Sequence, residues 1–144
     1  AMVEAAIAGN RRFALSRVDV DRPGPHYSAG PVDIIEGTLD PDTKLYFLMG
    51  GDSLHDLPRW HEPARLLAHC RLAVTRRPSD GGDAALESLC KTLPSLESAL
   101  HFVPAPLIEI SGAEVRRRVR AGLSIRYLVP DAVAAYIERE GLYK

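Results

Sequence analysis

The apolar run of residues 44–49, which ends at Gly50 and Gly51, restricts the fold more than any other segment of the chain. It has the length of a strand but does not alternate between polar and apolar residues. A run of this kind is typical of a buried strand in a parallel sheet. Further strands are predicted by short apolar or alternating runs at residues 13–18, 71–75 and 100–103.

Helical patterns separate the predicted strands, and this alternation predicts an α/β fold with a parallel sheet flanked by helices. The length of 144 residues fits one domain, whose C-terminal part, from about residue 111 to 144, would be helical. The predicted helices cover residues 1–8, a short segment from 32 to 35, and residues 63–69, 84–93, 111–121 and 130–139, with loops at 21–31 and 76–82.

Composition excludes several classes of protein. With 18 Lys and Arg residues against 19 Asp and Glu residues, the net charge of −1 gives no electrostatic reason to expect nucleic acid or an anionic membrane as a partner. No apolar run approaches the ~20 residues of a membrane-spanning helix, and the first residues do not form a secretory signal. Cys70 and Cys90 are too few for a disulfide framework or a zinc site. We therefore expect a cytoplasmic globular domain.

The first candidate site follows the apolar run, at Gly50 to Ser53. In an open α/β sheet, ligands bind beyond the carboxyl ends of the strands, and two glycines let a ligand lie close to the backbone. The Asp52 carboxylate could then accept hydrogen bonds from a ribose or order a cation. The alternative is a tight turn in which Asp52 or Ser53 caps a short helix.

The second candidate site is the start of the helix predicted after Ser111. Ser111 and Glu114 have the spacing of a capping box, and Gly122 stands where a left-handed residue would end the helix. The free N–H groups and the dipole of a helix start attract an anion, and Arg116, one turn later, adds a bidentate phosphate ligand. The alternative is a capped amphipathic helix with a solvated basic face.

The third candidate contains Trp60, the only tryptophan of the chain. A tryptophan in an exposed loop can stack on a planar ring, whereas a buried one fills a core. The neighbouring His61 and Glu62 do not form a zinc-protease signature, because position 65 is Arg rather than His. No metal is assigned to any histidine of the chain.

Five stretches of the sequence occur together in an order that is typical of one enzyme family. They are RFALSRVDVDRPGPHYS, LYFLMGGDSLHDLPRWHEPARLL, LAVTRRP, ISGAEVR and GLSIRYLVPDAVAAYIEREGLY. With these stretches the chain resembles the bacterial nicotinate-nucleotide adenylyltransferases. Segment ISGAEVR also resembles a signature of the wider nucleotidyltransferase superfamily, which includes pantetheine-phosphate adenylyltransferases and ATP sulfurylases. The more specific features are the segment LPRWHE and the ending SIRYLVP with GLY near the C-terminus.

The resemblance implies a Rossmann-like nucleotidyltransferase fold and a reaction in NAD biosynthesis. The family joins ATP and nicotinate mononucleotide into nicotinate adenine dinucleotide, releases pyrophosphate, uses Mg²⁺ and forms no covalent enzyme intermediate. The residues that the resemblance assigns to ATP are Gly50, Asp52, Ser111 and Arg116. The residues that it assigns to nicotinate mononucleotide are Tyr27, Ser28 and Trp60, the last by stacking on the ring.

The sequence departs from the family at two pairs of positions and in one motif. Gly112 and Ala113 stand where Ser and Thr are usual, and Gly30 and Pro31 replace an Asp-Thr pair. The family begins with a strand and a loop bearing Gly-x-Phe-x-Pro-x-His-x-Gly-His, whose histidines stabilise the transferring phosphate, and these residues are absent. We therefore expect that the first βα unit is missing, that this chain contains no catalytic residue, and that it is inactive alone.

Two alternatives stay open at this point. One is another adenylyltransferase, such as the pantetheine-phosphate enzyme, and the other is a non-catalytic nucleotide-binding remnant. A homo-oligomer also stays open, because an unpaired sheet edge would favour pairing with another chain.

Overall fold

A computed structural model describes residues 1–75 and 83–144. Their contacts divide the chain into two compact units, which we call the sheet unit (Arg17–Leu107) and the helical unit (Ala1–Ser16 with Ile108–Lys144). That all 144 residues form one domain stays a prediction. In chain order the elements are α1 (Met2–Ile7), α2 (Ala29–Glu36), β1 (Tyr46–Gly50), α3 (Gly51–Asp56), a 3-10 turn (Leu57–Arg59), α4 (Pro63–His69), β2 (Arg71–Thr75), α5 (Asp83–Thr92), α6 (Leu96–Ala99), β3 (Leu100–Val103), α7 (Gly112–Arg120) and α8 (Asp131–Arg139).

The sheet unit contains three parallel strands in the order β1-β2-β3, which confirms the predicted parallel sheet. Leu48 of β1 lies opposite Ala73 of β2, and Val74 of β2 lies opposite Phe102 of β3. Parallel strands end at the same edge of a sheet, so the carboxyl ends of β1, β2 and β3 lie side by side. The turn that leaves Gly50 therefore starts from the edge at which α/β proteins bind their ligands.

Side chains on one face of the sheet form the main core with the surrounding helices. Leu72 and Val74 on β2 are completely buried, and Met49 on β1 is nearly so. The opposite face of β1 is different, because Tyr46 is exposed and Leu48 is 70% exposed. The prediction of a parallel strand is thus confirmed, but burial of both faces of β1 is wrong. No element in the described part of the chain covers that face.

Polar side-chain contacts join α2 to α4. Arg65 forms an ion pair with Asp33, and Nδ1 of His69 lies 2.6 Å from a carboxylate oxygen of Glu36. The hydrogen bonds that Arg65 donates, first to Glu62 and then to Asp33, raise the pKa of Arg65 above its usual value. Helix α2 begins at Ala29, three residues before its predicted start. These contacts hold the second half of α2 against α4.

The helical unit has its own small apolar contact, in which α1 packs against α8. Val133 and Ile137 of α8 and Val115 of α7 are buried. Gly122 ends α7 with a φ of +65°, and the N–H of the following residue donates to the carbonyl of Arg118 at 2.9 Å. The left-handed terminator predicted at Gly122 is therefore confirmed.

The strand predicted at residues 13–18 is wrong. These residues have no regular secondary structure and pair with none of the described strands, and Phe13 and Leu15 are exposed. A strand requires a partner for its ladder of hydrogen bonds, and an alternating pattern does not provide one. The loop predicted at 76–82 lies outside the described residues. Among the helices described, none is long and apolar enough to cross a membrane.

A pair of Leu→Ala substitutions tests the position of the core. In the 144-residue chain, Leu72→Ala should lower the free energy of unfolding by about 2–5 kcal/mol, because a completely buried side chain leaves a cavity. Leu48→Ala, at an exposed position in the same sheet, should change it by less than about 0.5 kcal/mol. Urea unfolding followed by circular dichroism measures both values. Equal losses in the free energy of unfolding for the two variants would contradict the placement of Leu72 in the core and of Leu48 at the surface.

Candidate functional site

The carboxyl end of β1 places Gly50 and Asp52 together. The Asp52 carboxylate folds back over Gly50 and accepts a hydrogen bond from the N–H of Ser53 at 2.9 Å. A Cβ built on Gly50 would lie 2.5 Å from the same carboxylate oxygen. Any larger residue at position 50 would displace the Asp52 side chain, so glycine here permits the close approach.

The prediction that Asp52 or Ser53 caps the helix is wrong. Gly50 occupies the N-cap position of α3, without a side-chain cap, and Asp52 lies in the first turn of the helix. The pair Gly50-Gly51 lets the backbone pass directly from strand to helix, so the helix starts earlier than the polar residues suggest. The Asp52 side chain is consequently exposed at the edge of the sheet, where it can accept hydrogen bonds from a ligand.

The loop before α2 meets the segment after the 3-10 turn. The ring of Tyr27 stacks on His61, with centroids 4.0 Å apart and planes inclined by 26°. Trp60 precedes His61 in the chain, and Ser28 follows Tyr27 at the N-cap position of α2. Tyr27 and the segment that contains Trp60 are therefore in contact, although they are more than 30 residues apart in sequence.

Trp60 has features of both environments that the sequence left open, the exposed loop and the buried core. Its ring lies edge-on to Phe47, with centroids 5.9 Å apart and an interplanar angle of 76°, and it packs against the main core. The residue is only partly buried. Packing on Phe47 therefore anchors the indole without removing it completely from solvent.

His61 is a residue of this site that the sequence did not identify. Its ring covers Tyr27, and its Nε2 lies 3.4 Å from a carboxylate oxygen of Glu62. Glu62 has a φ of +50°, in the left-handed region, and connects this segment to α4, which begins at Pro63. The only sequence signal was the position of His61 beside Trp60, because the stacking partner is remote in the chain.

In the helical unit, the N-cap predicted at Ser111 is confirmed. Its Oγ accepts a hydrogen bond from the N–H of Glu114 at 3.1 Å. The Glu114 side chain does not complete a capping box. It accepts two hydrogen bonds from Arg117, both at 2.7 Å. Hydrogen bonding from Arg117 and its positive charge lower the pKa of Glu114 below its usual value.

Arg116 lies across the first turn of α7. A Cβ built on Gly112 would be 3.1 Å from Nη1 of Arg116, so the absence of a side chain at position 112 leaves room for the guanidinium. The neighbouring arginines are engaged, Arg117 by Glu114 and Arg118 by the carbonyl of Ser124 at 2.7 Å. Within residues 1–75 and 83–144, Arg116 has no hydrogen-bond or ion-pair partner.

This geometry is suited to an anion. The first N–H groups of a helix have no intrahelical acceptor, and the helix dipole is positive at this end. An uncommitted guanidinium beside them can donate two parallel hydrogen bonds to a phosphate group. In the described ranges, no group of three or more His, Cys, Asp or Glu side chains is placed to hold a metal ion.

Comparisons with known proteins show which sequences and folds this chain is similar to. No protein-family model matches the chain. A probable nicotinate-nucleotide adenylyltransferase of Thermomicrobium roseum is 44% identical over 144 residues, which are 100% of this chain and 66% of that protein. A probable nicotinate-nucleotide adenylyltransferase of Roseiflexus sp. is 40% identical over 145 residues, which cover 100% of this chain and 70% of that protein. The chain thus spans about two thirds of the length of these relatives.

Solved structures confirm the α/β nucleotidyltransferase fold. The Plasmodium falciparum nicotinic acid mononucleotide adenylyltransferase complexed with APC superposes with a TM-score of 0.69 at 19% identity, over 95% of this chain and 70% of that one. The same enzyme complexed with NaAD gives a TM-score of 0.59 at 21% identity, over 81% of this chain and 57% of that one. At these identities the likeness concerns the fold alone.

A substitution at Ser111 tests the cap of α7. Ser111→Ala should lower the free energy of unfolding of the helical unit by about 0.5–2 kcal/mol, because the N–H of Glu114 loses its acceptor. Ser111→Asp replaces the hydroxyl by a carboxylate, which can accept the same hydrogen bond at the N-cap, and should retain the wild-type stability within about 0.5 kcal/mol. Thermal unfolding monitored by circular dichroism provides the comparison. Equal destabilisation by both substitutions would exclude a capping role.

Proposed function

The chain belongs to the nicotinate-nucleotide adenylyltransferase family, and on that basis we propose that the whole protein transfers the adenylyl group of ATP to nicotinate mononucleotide. The products are nicotinate adenine dinucleotide and pyrophosphate, in the cytoplasm. Identity of 40–44% along the full length of this chain supports the assignment. The observation in the structure that carries it is the uncommitted Arg116 guanidinium at the capped start of α7.

The proposed reaction is an in-line displacement at phosphorus. A phosphate oxygen of nicotinate mononucleotide attacks the α-phosphorus of ATP, and the bond to the β-phosphate oxygen breaks as pyrophosphate leaves with the electron pair. With no covalent intermediate, the protein contributes by orienting the two phosphates and neutralising their charge. The 144 residues contain no His-x-Gly-His, so we assign no catalytic residue here and expect no turnover by this chain alone.

We assign the phosphates of ATP to the start of α7. Arg116 would donate to the phosphate oxygens, together with the first N–H groups of the helix, while Ser111 keeps the end of the helix in place. Gly50 and Asp52 would hold the adenosine, because the exposed carboxylate can accept hydrogen bonds from ribose hydroxyls. Mg²⁺ would arrive bound to the ATP phosphates, as part of the substrate.

We assign nicotinate mononucleotide to Tyr27, Ser28 and Trp60. The contact between Tyr27 and His61 brings the first two residues to the segment of the third. The partly exposed indole of Trp60 offers a planar surface for the nicotinate ring, and its packing on Phe47 holds that surface still. Stacking on a rigid aromatic side chain binds a planar ring with little loss of conformational freedom.

Arg116→Met tests the phosphate site. In the whole protein it should raise the KM for ATP about 10- to 100-fold, because charge-assisted hydrogen bonds to phosphate are lost. Arg120→Met is the matched control, since Arg120 is also exposed and has no ion pair among the described residues but lies at the other end of α7. Steady-state kinetics with both substrates varied gives the values. An equal effect of both substitutions would contradict the assignment.

Trp60→Ala tests the identity of the second substrate. It should raise the KM for nicotinate mononucleotide about tenfold or more, because ring stacking is worth about 1–3 kcal/mol, and should leave the KM for ATP within about twofold. The measurement compares turnover with nicotinate mononucleotide and with phosphopantetheine. Turnover of phosphopantetheine by the unsubstituted protein, lost on substitution, would favour the pantetheine-phosphate enzyme instead. Nucleotide binding without turnover of either substrate would favour a binding protein.

A further inference from the structure

Arg22 organises the loop that precedes α2. Its side chain is only 21% exposed although it lies in a loop. Nη1 donates to the carbonyl of Pro25 at 2.9 Å, and Nη2 donates to the carbonyl of Tyr27 at 3.3 Å and to the Asp19 carboxylate at 2.8 Å. One guanidinium therefore joins three points of the loop, and the last of its carbonyl acceptors belongs to Tyr27.

The same guanidinium packs against the first turn of α2. A Cβ built on Gly30 would lie 3.5 Å from Cζ of Arg22, which is ordinary van der Waals contact. Nε of Arg22 is buried and has no hydrogen-bond partner in the described part of the chain. The group is therefore largely withdrawn from water, and its remaining hydrogen bonds gain strength from that environment.

Asp19 supports Arg22 from the other side. Its carboxylate accepts from Arg22 and lies 3.4 Å from Nδ1 of His26. The hydrogen bond from Arg22, followed by that from His26, lowers the pKa of Asp19 below its usual value. Asp19 consequently stays ionised at neutral pH, and the ion pair with Arg22 is maintained under the conditions in which the protein would act.

This loop has no strand or helix to hold its backbone. Its carbonyl groups require donors, and a planar guanidinium with five N–H groups can serve several acceptors in fixed directions. Lys carries a single ammonium on a flexible stem and cannot hold the same acceptors in one plane. Arg22 thus fixes the direction of the peptide group between Tyr27 and Ser28 together with the N–H of Gly30, which donates to the same carbonyl at 3.3 Å.

From these contacts we infer that Arg22 is a positioning residue for the nicotinate mononucleotide subsite. It acts through the Tyr27 carbonyl, and the Tyr27 ring reaches His61 next to Trp60. The inference rests on the proposed function, which assigns Tyr27, Ser28 and Trp60 to this substrate. Loss of Arg22 should therefore weaken the use of nicotinate mononucleotide and leave the use of ATP unchanged.

Kinetics of the whole protein test the inference. Arg22→Met should raise the KM for nicotinate mononucleotide about tenfold, the equivalent of one lost charge-assisted hydrogen bond, with the KM for ATP within about twofold. Arg22→Lys keeps the positive charge and is the variant to measure if Arg22→Met does not fold. It should still raise the same KM about fivefold or more, because Lys lacks the planar fork. Arg17→Met is the matched control, since Arg17 pairs with Asp21 in the same loop but both side chains are exposed.

The outcomes distinguish a failure of the positioning role of Arg22 from a failure of the proposed function. Unchanged KM values in Arg22→Lys and Arg22→Met, or an equal rise for both substrates, would overturn the positioning role alone. An effect of Arg17→Met equal to that of Arg22→Met would overturn it as well. If the unsubstituted protein does not turn over nicotinate mononucleotide, the proposed function fails and the inference fails with it.

Discussion

Parallel pairing of β1 and β3 with β2 is the constraint on which the sheet unit depends. A parallel ladder cannot close through short hairpins, so helices stand between β1 and β2 and between β2 and β3 along the chain, in crossover connections. Leu72 and Val74 are completely buried because these crossovers cover their face. The same geometry brings the carboxyl ends of the strands to one edge, where Gly50 passes into α3 and exposes Asp52. The parallel pairing of the strands thus accounts both for the burial of the core and for the position of Gly50 and Asp52, the residues proposed to hold adenosine.

Whether a basic side chain can bind a ligand depends on whether an acceptor within the protein already pairs with it. Three consecutive arginines occur in α7, and the structure gives them different roles. Arg117 is held by Glu114, and Arg118 by the carbonyl of Ser124, whereas Arg116 lies over Gly112 and has no such partner within residues 1–75 and 83–144. Arg22 is the opposite case, because its Nη1 and Nη2 groups donate to acceptors within its own loop. A positive charge that is already paired stabilises local structure, and one that is unpaired at a helix start attracts anions.

Local signals predicted the elements whose partners are close in sequence. The cap at Ser111 and the terminator at Gly122 were correct because both depend on hydrogen bonds within a few residues. The strand predicted at residues 13–18 was wrong, because a strand depends on a neighbour that the pattern does not contain. The cap predicted at Asp52 was wrong because the glycines before it start the helix earlier. Resemblance grouped Tyr27 with Trp60, but it did not identify His61 or Arg22.

The sequence by itself determined the parallel α/β class, the ends of α7 and, through its resemblance, the family. These conclusions depend on hydrophobic patterns, on capping residues and on ordered motifs, all of which can be read along the chain. Only the tertiary structure decided that Tyr27 stacks on His61, that Arg116 lies over Gly112 at the start of α7 and that Arg22 holds the loop before α2. The physical reason is that hydrogen bonding, stacking and burial depend on distances in space, which residue identities and spacing do not specify.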